Sequence, residues 1–143
     1  MDELNGCYFE DLKEGMTDIF GKTITESDIY TFAGVSGDTN PVHLNEEYAK
    51  NTMFKSRIAH GMIGAAFISA VLGTKLPGPG CIYVSQNLKF RAPVKIGDTL
   101  IARVTIKELN AEKKLATCET VCTVGDKKVI VGEAVVMVPS RAA

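Results

Sequence analysis

Asp38 and His43 stand five positions apart in the stretch Ser36-Gly37-Asp38-Thr39-Asn40-Pro41-Val42-His43. Gly37 frees the backbone to turn sharply, and Pro41 fixes the direction in which the chain leaves. An ionised carboxylate and a neutral imidazole can both accept a hydrogen bond from one water, which is the arrangement of a general acid/base pair. The residue types alone also fit a plain turn, because Asp and Asn bond to nearby backbone and Asn-Pro starts turns. What surrounds the pair decides between the two readings.

Upstream, Thr25-Glu26-Ser27-Asp28 has the form of a helix-capping box with acids in the first turn. Ile29, Phe32, Ala33 and Ser36 then fall at helical spacing, and Gly37 is placed as a left-handed stop. The spacing leaves Asp38 to His43 as a loop, after which Asn45 can cap a short helix through Ala49. Residues 50–57 are polar and irregular. From Ile58 to Leu72 the chain is apolar almost all round, which predicts a helix buried on every side. Gly61, Gly64, Ala65 and Ala66 keep it slim, and Leu76-Pro77-Gly78-Pro79-Gly80 ends it.

The remainder reads as strand. Ile82, Val84, Gln86, Leu88 and Phe90 alternate with polar neighbours, as do Leu100, Ala102, Val104 and Ile106. Leu115 to Val124 and Lys128 to Val138 flank a Gly125-Asp126-Lys127 turn, a hairpin signal. Four or five antiparallel strands with one covered face, and one apolar helix, should cover each other. The expectation is a single α+β domain over residues 1–143 in which the sheet curls around the long helix.

Composition narrows the function classes. The net charge of −1 gives no electrostatic footprint for nucleic acid or an anionic membrane, and 45% apolar with 23% charged residues is ordinary for a globular domain. The longest apolar run is too short to span a bilayer. Met1 to Glu14 has neither a basic start nor an apolar core, so no secretory leader is expected, and the expected location is cytoplasmic. The four cysteines lack the close pairs of a zinc site. Cys118 and Cys122 on one strand would stand about 13 Å apart, too far for a disulfide, so buried reduced thiols are expected.

Phe32-Ala33-Gly34-Val35-Ser36-Gly37-Asp38-Thr39-Asn40-Pro41-Val42-His43, and then Ala49, resembles the hydratase 2 motif. That motif belongs to the MaoC-like (R)-specific enoyl-CoA hydratases of the hot-dog fold. The likeness continues through His60-Gly61-Met62, the apolar helix, and Ser85 to Val94 with Gly97-Asp98, so it covers nearly the whole chain. It is to the short single-hot-dog members, such as the hydratases that feed polyhydroxyalkanoate synthesis.

The resemblance implies a hot dog, with reversible hydration of trans-2-enoyl-CoA to (R)-3-hydroxyacyl-CoA, and Asp38 and His43 as the catalytic dyad. Which of the two removes the proton stays open. The backbone N–H of Gly61, at a helix start, is suited to an enolate oxygen. Ser69 matches a substrate-site serine of the short hydratases. Asn40 and Gln86 are expected to shape the site. Gln86, an amide on an apolar strand face, needs a partner, and Asn40 or the dyad loop is the candidate. His60 is read as shaping the helix start, and Lys89 and Arg91 could meet the phosphates of coenzyme A. No metal and no cofactor beyond the coenzyme A of the substrate is expected. The uncovered sheet edge predicts a homodimer or higher homo-oligomer. Three rival readings fit the same fold: a dehydratase acting on acyl carrier protein, a thioesterase, and a non-catalytic acyl-binding subunit.

Overall fold

The computed structural model describes residues 2–142. Five antiparallel strands form one sheet: β1 (Thr17–Thr23), β2 (Ile82–Phe90), β3 (Thr99–Asn110), β4 (Leu115–Val124) and β5 (Lys127–Met137). Their order in space is β1-β3-β4-β5-β2, so β1 and β2 are the edges. The helices are α1 (Glu26–Ser36), α2 (Pro41–Leu44), α3 (Glu46–Ala49) and α4 (Gly61–Thr74). The long helix α4 packs across β1, β3 and β4, which is the expected hot-dog arrangement.

The alternation read from the sequence is the alternation that is buried. Leu100, Ala102, Val104 and Ile106 of β3 turn inward, as do Ala116, Cys118, Thr120 and Cys122 of β4 and Ala134 and Val136 of β5. From the helix come Ile63, Ile68, Val71 and Leu72. Phe67 meets Phe20 of β1 edge-on at 5.0 Å, fixing the helix to that edge. At Gly64 the helix lies directly against the sheet: an added Cβ would lie 2.4 Å from Cδ1 of Ile130.

Four expectations need correction. The helix begins at Gly61 rather than Ile58, because Ile58 bridges Lys95 and the Ala59 N–H donates to the Val94 carbonyl at 2.7 Å, holding that segment extended. Nor is α4 buried on every side: Met62, Ala66 and Ser69 are exposed along one face of the single chain. The same holds for β2, whose Ile82, Val84 and Phe90 are more than half exposed, since no strand lies beyond this edge. Finally, the second half of the predicted loop is a helical turn. Asn40 caps α2 by accepting from the Val42 N–H at 3.0 Å, and Pro41 occupies the first helical position, where its missing N–H costs nothing.

Candidate active site

The turn holding Asp38 is built as its sequence implies. The capping box of α1 forms in both directions, with the Asp28 N–H on Thr25 Oγ1 at 3.1 Å and the Thr25 N–H on Asp28 Oδ2 at 2.8 Å. Gly37 ends α1 in the left-handed region at φ 78°. Asp38 follows, exposed, its Oδ1 accepting from the Asn40 N–H at 3.2 Å. Asn40 receives the Val42 N–H on its side chain and donates its own backbone N–H to Asp38.

His43 lies on α2 and is buried. Its Nδ1 is 2.7 Å from the Ile58 carbonyl oxygen. A carbonyl can only accept, so Nδ1 carries the proton and Nε2 keeps a lone pair. Burial holds the His43 imidazole below its ordinary value of 6.5, and the nearby His60 adds to this, while the Ile58 carbonyl and Asp38 pull the other way. The ring is thus neutral at pH 7 and able to accept a proton.

His60 is the residue that the sequence reading undervalued. Its ring is 3% exposed and stacks on His43 at 3.9 Å between centroids and 27° between planes. Its Nε2 donates to the Asp38 backbone carbonyl at 2.8 Å. Nδ1 is therefore a buried acceptor, and it has no hydrogen-bond partner among the described residues. His60 ties the two halves of the candidate dyad together, one by its edge and the other by its face. The His-Gly pair before an apolar helix was visible in sequence, but not that the ring folds back onto position 38.

Asp38, His43 and His60 each offer one ligand-type atom, all within 4.8 Å of one another. Two imidazoles and a carboxylate can bind a divalent metal. Each imidazole bonds a backbone carbonyl through one nitrogen, as metal-ligating and proton-transferring histidines both do, and keeps the other for the space beside Asp38. A water bonded to two acceptors at about 2.8 Å each bridges a gap of about 4.5 Å, so Asp38 and His43 can share one.

A cleft of about 520 Å³ opens beside His43, with His60, Gly61, Met62 and Gly64 among its walls. The first-turn N–H groups of α4 have no side-chain cap, leaving donors at this wall. The structure gives a packing reason for the glycine at 61: an added Cβ would lie 2.7 Å from the Phe90 ring.

The other candidates lie apart. Ser69 sits on the exposed face of α4 and does not line the cleft. Gln86 does not reach Asn40 or the dyad loop. Its Nε2 donates to Thr120 Oγ1 and to the Asn87 carbonyl, each at 2.9 Å, and its Oε1 accepts from the Tyr83 hydroxyl. It satisfies the one fully buried threonine of β4, which is a structural task. Arg91 lines the mouth of the cleft and Lys89 does not.

Residues 12–131 match the family model described as MaoC like domain. The chain is 64% identical over 140 residues to an (R)-specific enoyl-CoA hydratase of Rhodospirillum rubrum, covering 98% of this chain and 97% of that protein. It is 52% identical over 139 residues to a 3-hydroxybutyryl-CoA dehydratase of Methylorubrum extorquens, covering 97% and 88%. Among solved structures, the unliganded R-hydratase PhaJ1 of Pseudomonas aeruginosa matches with a TM-score of 0.90 at 42% identity, over 96% of this chain and 89% of that one.

Proposed function

This chain belongs to the family of MaoC-like domains, and on that premise we propose that it catalyses the reversible hydration of trans-2-enoyl-CoA to (R)-3-hydroxyacyl-CoA. Relatives carrying the names of both directions of that reaction align along nearly the full chain. The observation that carries the mechanism is the placement of Asp38 and His43 within 4.8 Å of each other, beside a cleft walled by the N-terminus of α4.

Hydration adds the hydroxyl of one water to Cβ and a proton to Cα. Asp38 and His43 hold that water between them. One takes its proton as the C–O bond forms, the Cα=Cβ electrons move towards the thioester carbonyl, and a proton from the pair is returned to Cα on the same face. The transient negative charge on the thioester oxygen faces the first-turn N–H groups of α4, Gly61 foremost, where the helix dipole favours it. Electrons and protons balance without a redox partner, and coenzyme A enters only as part of the substrate.

We further propose a homodimer. The edge strand β2 offers unpaired backbone beside the exposed Ile82 and Val84, and a shallow groove lined by Phe32, Met62, Ala65 and Tyr83 runs along it. A second copy covering this face would also enclose Ser69, which gives that residue its route to a substrate. The reading keeps a cytoplasmic location. No helix among the described residues is long and apolar enough to cross a membrane.

The test is purified protein with crotonyl-CoA, following loss of the conjugated thioester absorbance and, in parallel, free thiol. Absorbance should fall with no thiol released. Asp38→Asn and His43→Gln should each lower kcat roughly 10²-fold or more. Full activity in either folded variant would remove that residue from the mechanism, and thiol release would indicate a thioesterase.

A further inference from the structure

The polar segment of residues 50–57 ends in an arginine that does not face solvent: the Arg57 side chain is 12% exposed. Its Nη2 donates to Glu26 Oε1 at 2.7 Å and its Nη1 to the Tyr30 hydroxyl at 3.3 Å, both on α1. On its other side, Nε lies 3.5 Å from Oε2 of Glu46, the first residue of α3, without making a hydrogen bond. The Arg57 backbone N–H donates to that same oxygen at 3.2 Å. One residue thus spans the start of α1 and the start of α3. The first of these helices ends just before Asp38, and the second follows directly on the turn that carries His43.

Stability alone does not account for this arrangement. Glu26 and Glu46 are both more than half exposed, and ion pairs to exposed carboxylates contribute little. Burying a guanidinium carries a desolvation cost that an apolar side chain of the same reach would avoid. What arginine adds is a planar fork of donors that fixes direction.

The fork holds the approach to Ile58. The N–H groups of residues 57, 58 and 59 donate in turn to Glu46 Oε2, to the Val42 carbonyl at 3.2 Å and to the Val94 carbonyl at 2.7 Å. This extended segment is therefore stitched to α3, to α2 and to residue 94. Its Ile58 carbonyl accepts from His43 Nδ1 at 2.7 Å, which keeps the proton on Nδ1 and the lone pair on Nε2. Histidine free in water favours the opposite tautomer, so the ring keeps its basic Nε2 only while that carbonyl stays in place.

We propose that Arg57 is a positioning residue: by clamping α1 and α3 to the Ile58 segment, it holds the Ile58 carbonyl where it fixes His43 as the Nδ1–H tautomer. The inference rests on the hydratase reading above and adds to it the group that sets the state of its imidazole.

The test compares the full chain, untagged, with Arg57→Met, which keeps the apolar stem and removes the fork, and with Arg57→Lys, which keeps a charge beside Glu26. The chain has two histidines, so 15N imidazole spectra at pH 7 report His43 once His60→Phe has identified the other signal. Wild type should show His43 as Nδ1–H, and Arg57→Met a mixture with Nε2–H. In the crotonyl-CoA assay Arg57→Met should lower kcat about tenfold, as a displacement of under about 1 Å can do, with KM and melting temperature little changed. Arg57→Lys should fall between the two in tautomer and in kcat. If Arg57→Met does not fold, Arg57→Lys is judged by the same measures.

A folded Arg57 variant that keeps His43 wholly Nδ1–H overturns the proposal, as does one with wild-type kcat. A wild type with its proton on Nε2 overturns it too. These outcomes leave the hydratase reading intact. Absence of turnover by wild type would defeat that reading instead, and the tautomer in the variants would still decide the role of Arg57.

Discussion

His60 offers the sharpest check on how the site is held, because its edge and its face do different things and can be removed separately. His60→Phe keeps an aromatic face against His43 but loses the donor to the Asp38 carbonyl. That hydrogen bond is part-buried, and its loss is worth about 1 kcal/mol. Spent entirely on placing the carboxylate, this lowers kcat about 5-fold. His60→Gln keeps a donor at the same reach and loses the stack, again about 1 kcal/mol and a similar factor. His60→Ala loses both, about 2 kcal/mol and roughly 30-fold in kcat.

The pH profile separates positioning from simple damage. His43 must be neutral to accept, and burial keeps its pKa below 6.5, so activity should persist as the pH falls through 6.5 and fail only below it. The linkage has the same sign for stability: the unfolded chain binds the proton first, so this contribution is present above 6.5 and is lost as the pH falls towards the folded value. His60→Ala admits water to His43 and should move the acid limb of kcat up towards 6.5, while His60→Phe keeps His43 covered and leaves the limb low. The assay is crotonyl-CoA hydration between pH 5 and 8, with KM measured at each point. Three folded variants within twofold of wild type, or losses appearing only in KM, would refute the positioning role.

Two further outcomes test the surroundings. Val84→Lys on the exposed edge strand should leave the chain folded yet monomeric by light scattering, with activity lost alongside the dimer; an unchanged dimer would move the interface elsewhere. Cys118 and Cys122 are fully buried, and burial pushes both thiols up to about 12. A thiol reagent at pH 8 should leave both unmodified in the native protein and reach them only on unfolding, so fast native labelling would contradict the packing of β4.

What could be read from the chain was what local chemistry dictates. Period-two alternation in residues 100–106 and 116–122 depends on which face of a strand each residue meets, and so it predicted the inner face of the sheet. The capping box at Thr25 and the stop at Gly37 are satisfied within a few residues, and both form as expected. The resemblance around Asp38 and His43 likewise pointed to the pair that the fold brings together. The start of the long helix was misplaced because the deciding contact is distant in sequence. Residues 58–60 are as apolar as a helix, yet hydrogen bonding to residues 94 and 95 holds them extended.

Gln86 found its partner two strands away at Thr120, a pairing fixed by strand order rather than by spacing. The sequence by itself determined the apolar helix and the sheet that faces it, which follow from residue type and period, while the resemblance around them singled out Asp38 and His43 as the candidate pair. Only the tertiary structure decided that His60 bonds the Asp38 carbonyl and stacks on His43, and that Ile130 packs onto Gly64. Both depend on side chains from separate elements meeting within a few ångströms, and no periodicity along the chain encodes that distance.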